Sequence, residues 1–165
     1  MTIRQIVHYE REGSTLSGRS APLTVFGAPL EQLVADLVDT MRHNGGVGLA
    51  AVQIGMPLRV FVVETENFGY QAYVNPKLLT HSARLMGFEE GCLSCPDDMP
   101  GVVVRPHAIE AVWQGIEGKR RVGRLTGMRA RIFLHELDHL NGTLYIERVR
   151  PGDFVVGDEP RELRQ

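Results

Sequence analysis

Scarcities narrow the class of this chain before any motif is read. Only two cysteines occur in 165 residues, Cys92 and Cys95, three positions apart. That excludes a loop-rich fold held by a disulfide framework and makes a reducing compartment the simpler setting. No run of about 18 apolar residues is present, so no membrane-spanning helix is expected. The start, Met1 to Tyr9, lacks a charged region followed by a long apolar stretch, which predicts an unexported, cytoplasmic protein with no membrane partner. Neither sign of charge dominates: 18 Lys and Arg against 20 Asp and Glu give a net charge of -2 and a pI near 6.3. The cations are spread along the chain, which argues against direct nucleic-acid binding and favours a small-molecule or peptide substrate. Repeats, low-complexity tracts and interdomain linkers are also missing. What is left, with 43% hydrophobic residues, suffices for one domain with its own core.

Periodicity then supplies the elements. Leu30, Leu33, Val34, Leu37, Val38 and Met41 form an i, i+3, i+4, i+7, i+8, i+11 stripe between Pro29 and Gly45, which predicts an amphipathic helix. Residues 58–63, 71–79 and 102–113 read as strands, the last interrupted near Pro106. Beyond the basic stretch Lys119 to Arg124, Thr126 is a candidate N-cap for a second helix reaching Leu140, with Asn141-Gly142 ending it. Residues 151–165 carry Pro, Gly and charge without a stripe and read as an irregular tail. Helices at either end of a run of strands predict an α+β fold. In it, mixed or antiparallel strands would pack around a central late helix, with the amphipathic helix towards the N-terminus.

That late helix contains His135-Glu-Leu-Asp-His139. Histidines four apart leave one helix face about 6 Å apart along the axis, so both imidazoles can hold one metal ion. Glu136 would then sit beside a water on that ion and act as its general base, so the pentapeptide predicts metal-assisted hydrolysis. It supplies only two ligands, and a catalytic site needs a third. Gly142 is in register with the pattern of peptidases that place a third histidine downstream, but the residue due to be histidine is Tyr145. Glu147 is too near to be a glutamate ligand from a second helix, and Glu159 and Glu162 lie in the tail. Cys92 is the other candidate, giving a Cys-His-His site with one open position. Together with Cys95, the same residues also match a closed four-ligand structural zinc site. The glycine-rich stretch Gly45 to Gly55 allows close backbone approach and offers the Gln53 amide, but has no lysine with Ser or Thr to cradle a phosphate.

Taken together, Gly46-Val-Gly-Leu-Ala-Ala-Val-Gln53, Glu90-Gly-Cys-Leu-Ser94 and His135-Glu-Leu-Asp-His139, in this order, resemble the three signature motifs of peptide deformylases. The resemblance spans roughly residues 3–149, including Asn75-Pro76, so that residues 1–150 are expected to form one catalytic domain. It implies removal of the formyl group from N-terminal formylmethionine of nascent peptides. It further implies Cys92, His135 and His139 as ligands of one divalent metal, with iron(II) expected in the cell and zinc, nickel or cobalt also accommodated. Glu136 becomes the general acid and base. Gln53 and the Leu93 N–H become donors to the formyl oxygen, and the Gly48 backbone accepts from the substrate N–H. On this basis Gln53→Ala is expected to leave folding and metal content intact while cutting turnover.

Four departures accompany the matches. Arg131 stands one turn before His135, where family members commonly place an apolar residue lining the methionine side-chain pocket, and reads as part of a solvated helix face, with a changed specificity pocket as the alternative. Leu134 replaces a frequent glutamine, and Cys95 a usual aliphatic residue, so that Cys95 reads as a small apolar filler able to pair with Cys92 under oxidation. The C-terminal helix linked to ribosome docking in many bacterial members is not evident. Asp138 is expected to pair a buried arginine such as Arg105 and so steady the ligand helix.

Overall fold

The computed structural model describes residues 2–96 and 99–150. Helices α1 (Tyr9–Leu16) and α2 (Ala28–His43) precede strands β1 (Gly48–Ala50), β2 (Val60–Glu64) and β3 (Tyr70–His81). Strands β4 (Leu85–Glu90), β5 (Gly101–Pro106), β6 (Ala108–Gln114) and β7 (Arg120–Thr126) then lead into helix α3 (Gly127–Leu140). The fold is α+β, with every strand pair antiparallel: a five-stranded sheet in the order β1-β2-β3-β6-β7 and a separate ribbon of β4 with β5. The tail reading for 151–165, with Glu159 and Glu162, lies outside the described residues.

Alternation along the central strands decides what each face of the sheet meets. Val60, Val62, Ala72 and Val74 point to one side and pack with Leu30, Leu33, Val34, Leu37 and Met41 of α2. Phe61, Val63 and Tyr73, one residue out of phase, point to the other side and pack with Ala130, Phe133, Leu137 and Leu140 of α3. The period-2 pleat thus feeds two cores from the same strands. Helix α2 forms where the stripe predicts, with Pro29 in its first turn, Glu31 near its N-terminus, and Arg42 and His43 in its last turn, each placed to suit the backbone or its dipole. The shorter α1 precedes it, so the amphipathic helix is not the first element.

Three strands lie where the sequence reading has none, β1 within the glycine-rich stretch among them. The basic stretch near Arg120 is β7, the outer strand of the sheet, and β4 is largely solvent-facing. The interruption near Pro106 is the passage from β5, in the ribbon, to β6, in the sheet. Strand β3 is irregular at Asn75, whose φ of 50° suits asparagine, and the Asn75 side chain bonds both Leu23 backbone groups and Gln114 at 2.8 Å.

Candidate active site

Helix α3 is capped by backbone geometry alone, since Thr126 is extended but makes no side-chain cap bond, and it ends at Asn141 before Gly142 (φ 77°). Its polar residues Arg131, Glu136, Asp138 and His139 are all buried, because the sheet covers one side and the ribbon another. Cys92 follows directly from β4, two residues after Glu90, the last residue of that strand. Cys92 Sγ lies 3.2 Å from His139 Nε2, and ligand atoms of Cys92, His135 and His139 all fall within 4.8 Å of one another.

These residues fit a divalent ion. His135 Nδ1 is 2.9 Å from Glu90, which leaves Nε2 for a metal. Burial, reinforced by the nearby His135, pushes His139 well below the ordinary imidazole range and keeps it neutral, as a ligand must be. Contact with Cys95 and then burial push the Cys92 thiol up, so a neighbouring cation is what would make the thiolate the stable form. Glu136 Oε2 and His139 Nδ1 are buried and have no hydrogen-bond partner among the described residues.

Around these ligands a cavity of about 350 Å³ brings together Gly48, Gln53, Cys92, Leu93, His135 and Glu136, so every expected site residue except His139 lines it, and His139 lies behind Cys92. Burial pushes the Glu136 carboxyl up to about 7. The Gln53 amide is held by Ala50 N–H donating to its Oε1 at 2.9 Å, while its Nε2 donates to Ser94 Oγ at 3.1 Å and reaches Cys92 Sγ at 3.4 Å. Gly48 must be glycine for lack of space: a Cβ there would lie 2.4 Å from Glu136 Oε1. It belongs to β1, an outer strand of the sheet.

Beneath the ligands runs a buried charge chain. Glu90 accepts from Arg105 at 2.7 and 2.9 Å and from Arg131 at 2.6 Å. Asp138 accepts from Arg105 at 2.7 Å, as expected, and from Arg148 at 2.5 and 2.6 Å. Burial would raise Glu90, but the bonds from Arg105 and His135 outweigh it and hold the carboxyl at about 2. The sequence reading gave no role to Glu90, Arg148 or Ser94. An acid at the end of a mostly exposed strand carries no local mark of burial, so only the ligand two residues on could have drawn attention to Glu90. The reading of Arg131 as a solvated face is overturned. It is 7% exposed, bound to Glu90, Val103 O and Met86 O, with its guanidinium 5.5 Å from the Phe88 ring. The ribbon that covers it is remote in sequence.

The other ligand schemes find no support in these contacts. Tyr145 stacks on His135 at 6.0 Å between ring centroids and donates its hydroxyl to Met99 O, and Glu147 accepts the Leu144 N–H at 2.7 Å. Cys95 is buried in the core and is not among the convergent ligand atoms.

Fold and site together have the make-up of a metal-dependent hydrolase: a thiol and two imidazoles placed where they could hold one ion, with a buried glutamate beside them. Residues 3–154 match the model of the polypeptide deformylase family, and the chain belongs to that family. It is 40% identical over 149 residues to a peptide deformylase-like protein of Agrobacterium fabrum, covering 90% of this chain and 89% of that one. The crystal structure of peptide deformylase from Thermotoga maritima superposes with a TM-score of 0.86 at 36% identity, covering 92% of this chain and all of that one. A peptide deformylase of Acinetobacter baumannii with Met-Ala-Ser bound matches with a TM-score of 0.82 at 31% identity, covering 90% of this chain and 99% of that one.

Proposed function

We propose that this chain removes the formyl group from N-formylmethionine at the start of nascent polypeptides, by metal-dependent hydrolysis. The observation that carries the reading is the convergence of Cys92, His135 and His139 beside a buried Glu136 in one cavity, in a chain of this family. The Met-Ala-Ser bound to the Acinetobacter relative is a peptide with a free first methionine, the kind of product this reaction leaves.

Cys92, His135 and His139 would hold a divalent ion, which would supply Lewis acidity and make a water acidic enough to ionise near neutral pH. Glu136, buried at the cavity wall, takes a proton as water attacks the formyl carbon. As the C–N bond breaks, Glu136 returns a proton to the leaving amine, giving formate and a free N-terminus. Gln53 and the Leu93 N–H donate to the oxygen on which negative charge builds. The Gly48 carbonyl, on an outer strand, accepts the substrate N–H in the manner of an added strand. Glu90 holds His135 in orientation, and Arg105 and Asp138 hold Glu90 and the helix. We further assign residues 1–150 as the catalytic domain, with α3 as its metal-binding centre and 151–165 as an appended tail. Iron(II) is the metal assigned in the cell, with zinc, nickel and cobalt as substitutes, and the cytoplasm is the compartment.

The test compares a formylated with an unmodified methionine peptide, before and after chelation and anaerobic add-back of iron(II) or zinc. Formate release from the formylated peptide alone, lost on chelation and restored by metal, is the expected result. Cleavage of the unmodified peptide without formate release from the other would assign a peptidase instead.

A further inference from the structure

We propose that Arg131 is a specificity-determining residue: the cavity receives the first side chain of the formylated peptide, and the Arg131 guanidinium hydrogen-bonds an acceptor near the end of that side chain. This deepens the deformylase reading and rests on it. With the formyl carbon held between Glu136 and Gln53, the first side chain extends into the rest of the same cavity, whose lining includes Phe88, Met128, Ile132 and Arg131. Arg131 lies one helical turn from His135, about 6 Å along the axis, within reach of a side chain that starts at the reacting centre.

Three contacts fix the guanidinium in place. One Nη donates to Glu90 at 2.6 Å and to Val103 O at 2.9 Å, and the other donates to Met86 O at 2.5 Å. The Phe88 ring packs over it. A guanidinium carries five N–H groups, so Nε–H and one Nη–H are left without an acceptor among the described residues, on a side chain only 8% exposed. A fixed charged donor with N–H groups to spare at the cavity wall favours an occupant that can accept from it. Sulfur accepts weakly, a sulfoxide or amide oxygen strongly, and a methylene not at all. The cavity therefore ranks first side chains by the acceptor they carry at methionine length, and disfavours a plain hydrocarbon of the same shape.

The experiment uses metal-loaded full-length protein and three N-formyl tripeptides differing only at the first residue: methionine, methionine sulfoxide and norleucine. In the wild type, kcat/KM is expected to be lowest for norleucine, mainly through KM. In Arg131→Met the sulfoxide-to-norleucine ratio is expected to fall by roughly tenfold or more, with Arg131→Lys between the two. A merely structural role would lower all three substrates together and leave the ratio unchanged, and that result overturns the inference. A wild type that shows no penalty for norleucine overturns it too, whether or not Arg131→Met folds. Absence of formate release from all three peptides would instead sink the deformylase reading itself.

Discussion

Among single residues, Gln53 serves both chemistry and structure, and its substitution separates the two. Its Oε1 satisfies Ala50 N–H, which belongs to a fully buried residue. Gln53→Ala therefore strips an acceptor from a buried donor as well as removing the Nε2 donor. The sequence-based expectation of undisturbed folding needs correction: a loss of about 1–3 kcal/mol should accompany a turnover loss of about a hundredfold. Gln53→Glu keeps the acceptor and loses the donor, so it should recover much of the stability and little of the turnover. Thermal melts and formate release measure both, and turnover within twofold of wild type in both variants would remove Gln53 from the chemistry. Cys95 offers a simpler contrast. Because the convergent ligand atoms come from Cys92, His135 and His139, Cys95→Ala should keep its metal-to-protein ratio in elemental analysis. Loss of the metal would restore the closed four-ligand site. Cys95→Ser should also survive peroxide longer than wild type, since no second thiol is then present to capture an oxidised Cys92. Equal inactivation rates would exclude that pairing.

Between elements, the ribbon and α3 are joined by buried charges as well as by Val103 in the shared core. Arg105 on β5 bridges Glu90 on β4 to Asp138 on α3, with both carboxylates and the guanidinium buried. Arg105→Ala would leave two buried acids short of a partner, and a loss of about 3–5 kcal/mol in denaturant unfolding is expected. A loss under about 1 kcal/mol would mean that Arg131 and Arg148 suffice. The same pairings explain what sequence could and could not reveal. Helix α2 was legible because its stripe meets one continuous apolar face. The ligand histidines were legible because helix spacing alone places them. Strand β7 was not, since its outward residues are mostly charged and its place is set by pairing with β6. Arg131 was misread because its cover comes from Met86, Phe88 and Val103, some 30 to 45 positions earlier in the chain. Glu90 belongs to one of the three motifs, but its partners Arg105 and Arg131 are equally remote in sequence. Local pattern shows which residues lie on a face, but not what a distant ribbon lays over it.

Across the whole molecule, both core clusters are drawn from residues 7–149, and the last of these close the structure. Leu144 and Tyr145 are almost fully buried, Tyr145 stacks on the His135 ring, and Arg148 clamps Asp138. Val149 packs so tightly on Gly101 that a Cβ at that glycine would come within 2.5 Å of its methyl group. Packing of the described residues therefore runs to Val149, and the domain boundary proposed above lies just beyond it. A chain ending at Arg150 keeps each of these contacts. Its melting temperature should be unchanged and its kcat/KM should stay within about twofold of the full chain. A chain ending at Thr143 loses the ring stacked on His135, one of the two arginines on Asp138 and three core side chains. It should fail to retain metal and unfold at much lower denaturant. Circular dichroism melts, metal analysis and formate release on the two truncations check this together. If the chain ending at Arg150 lost activity while remaining folded, residues 151–165 would contribute to the site, and the domain boundary would have to move past them.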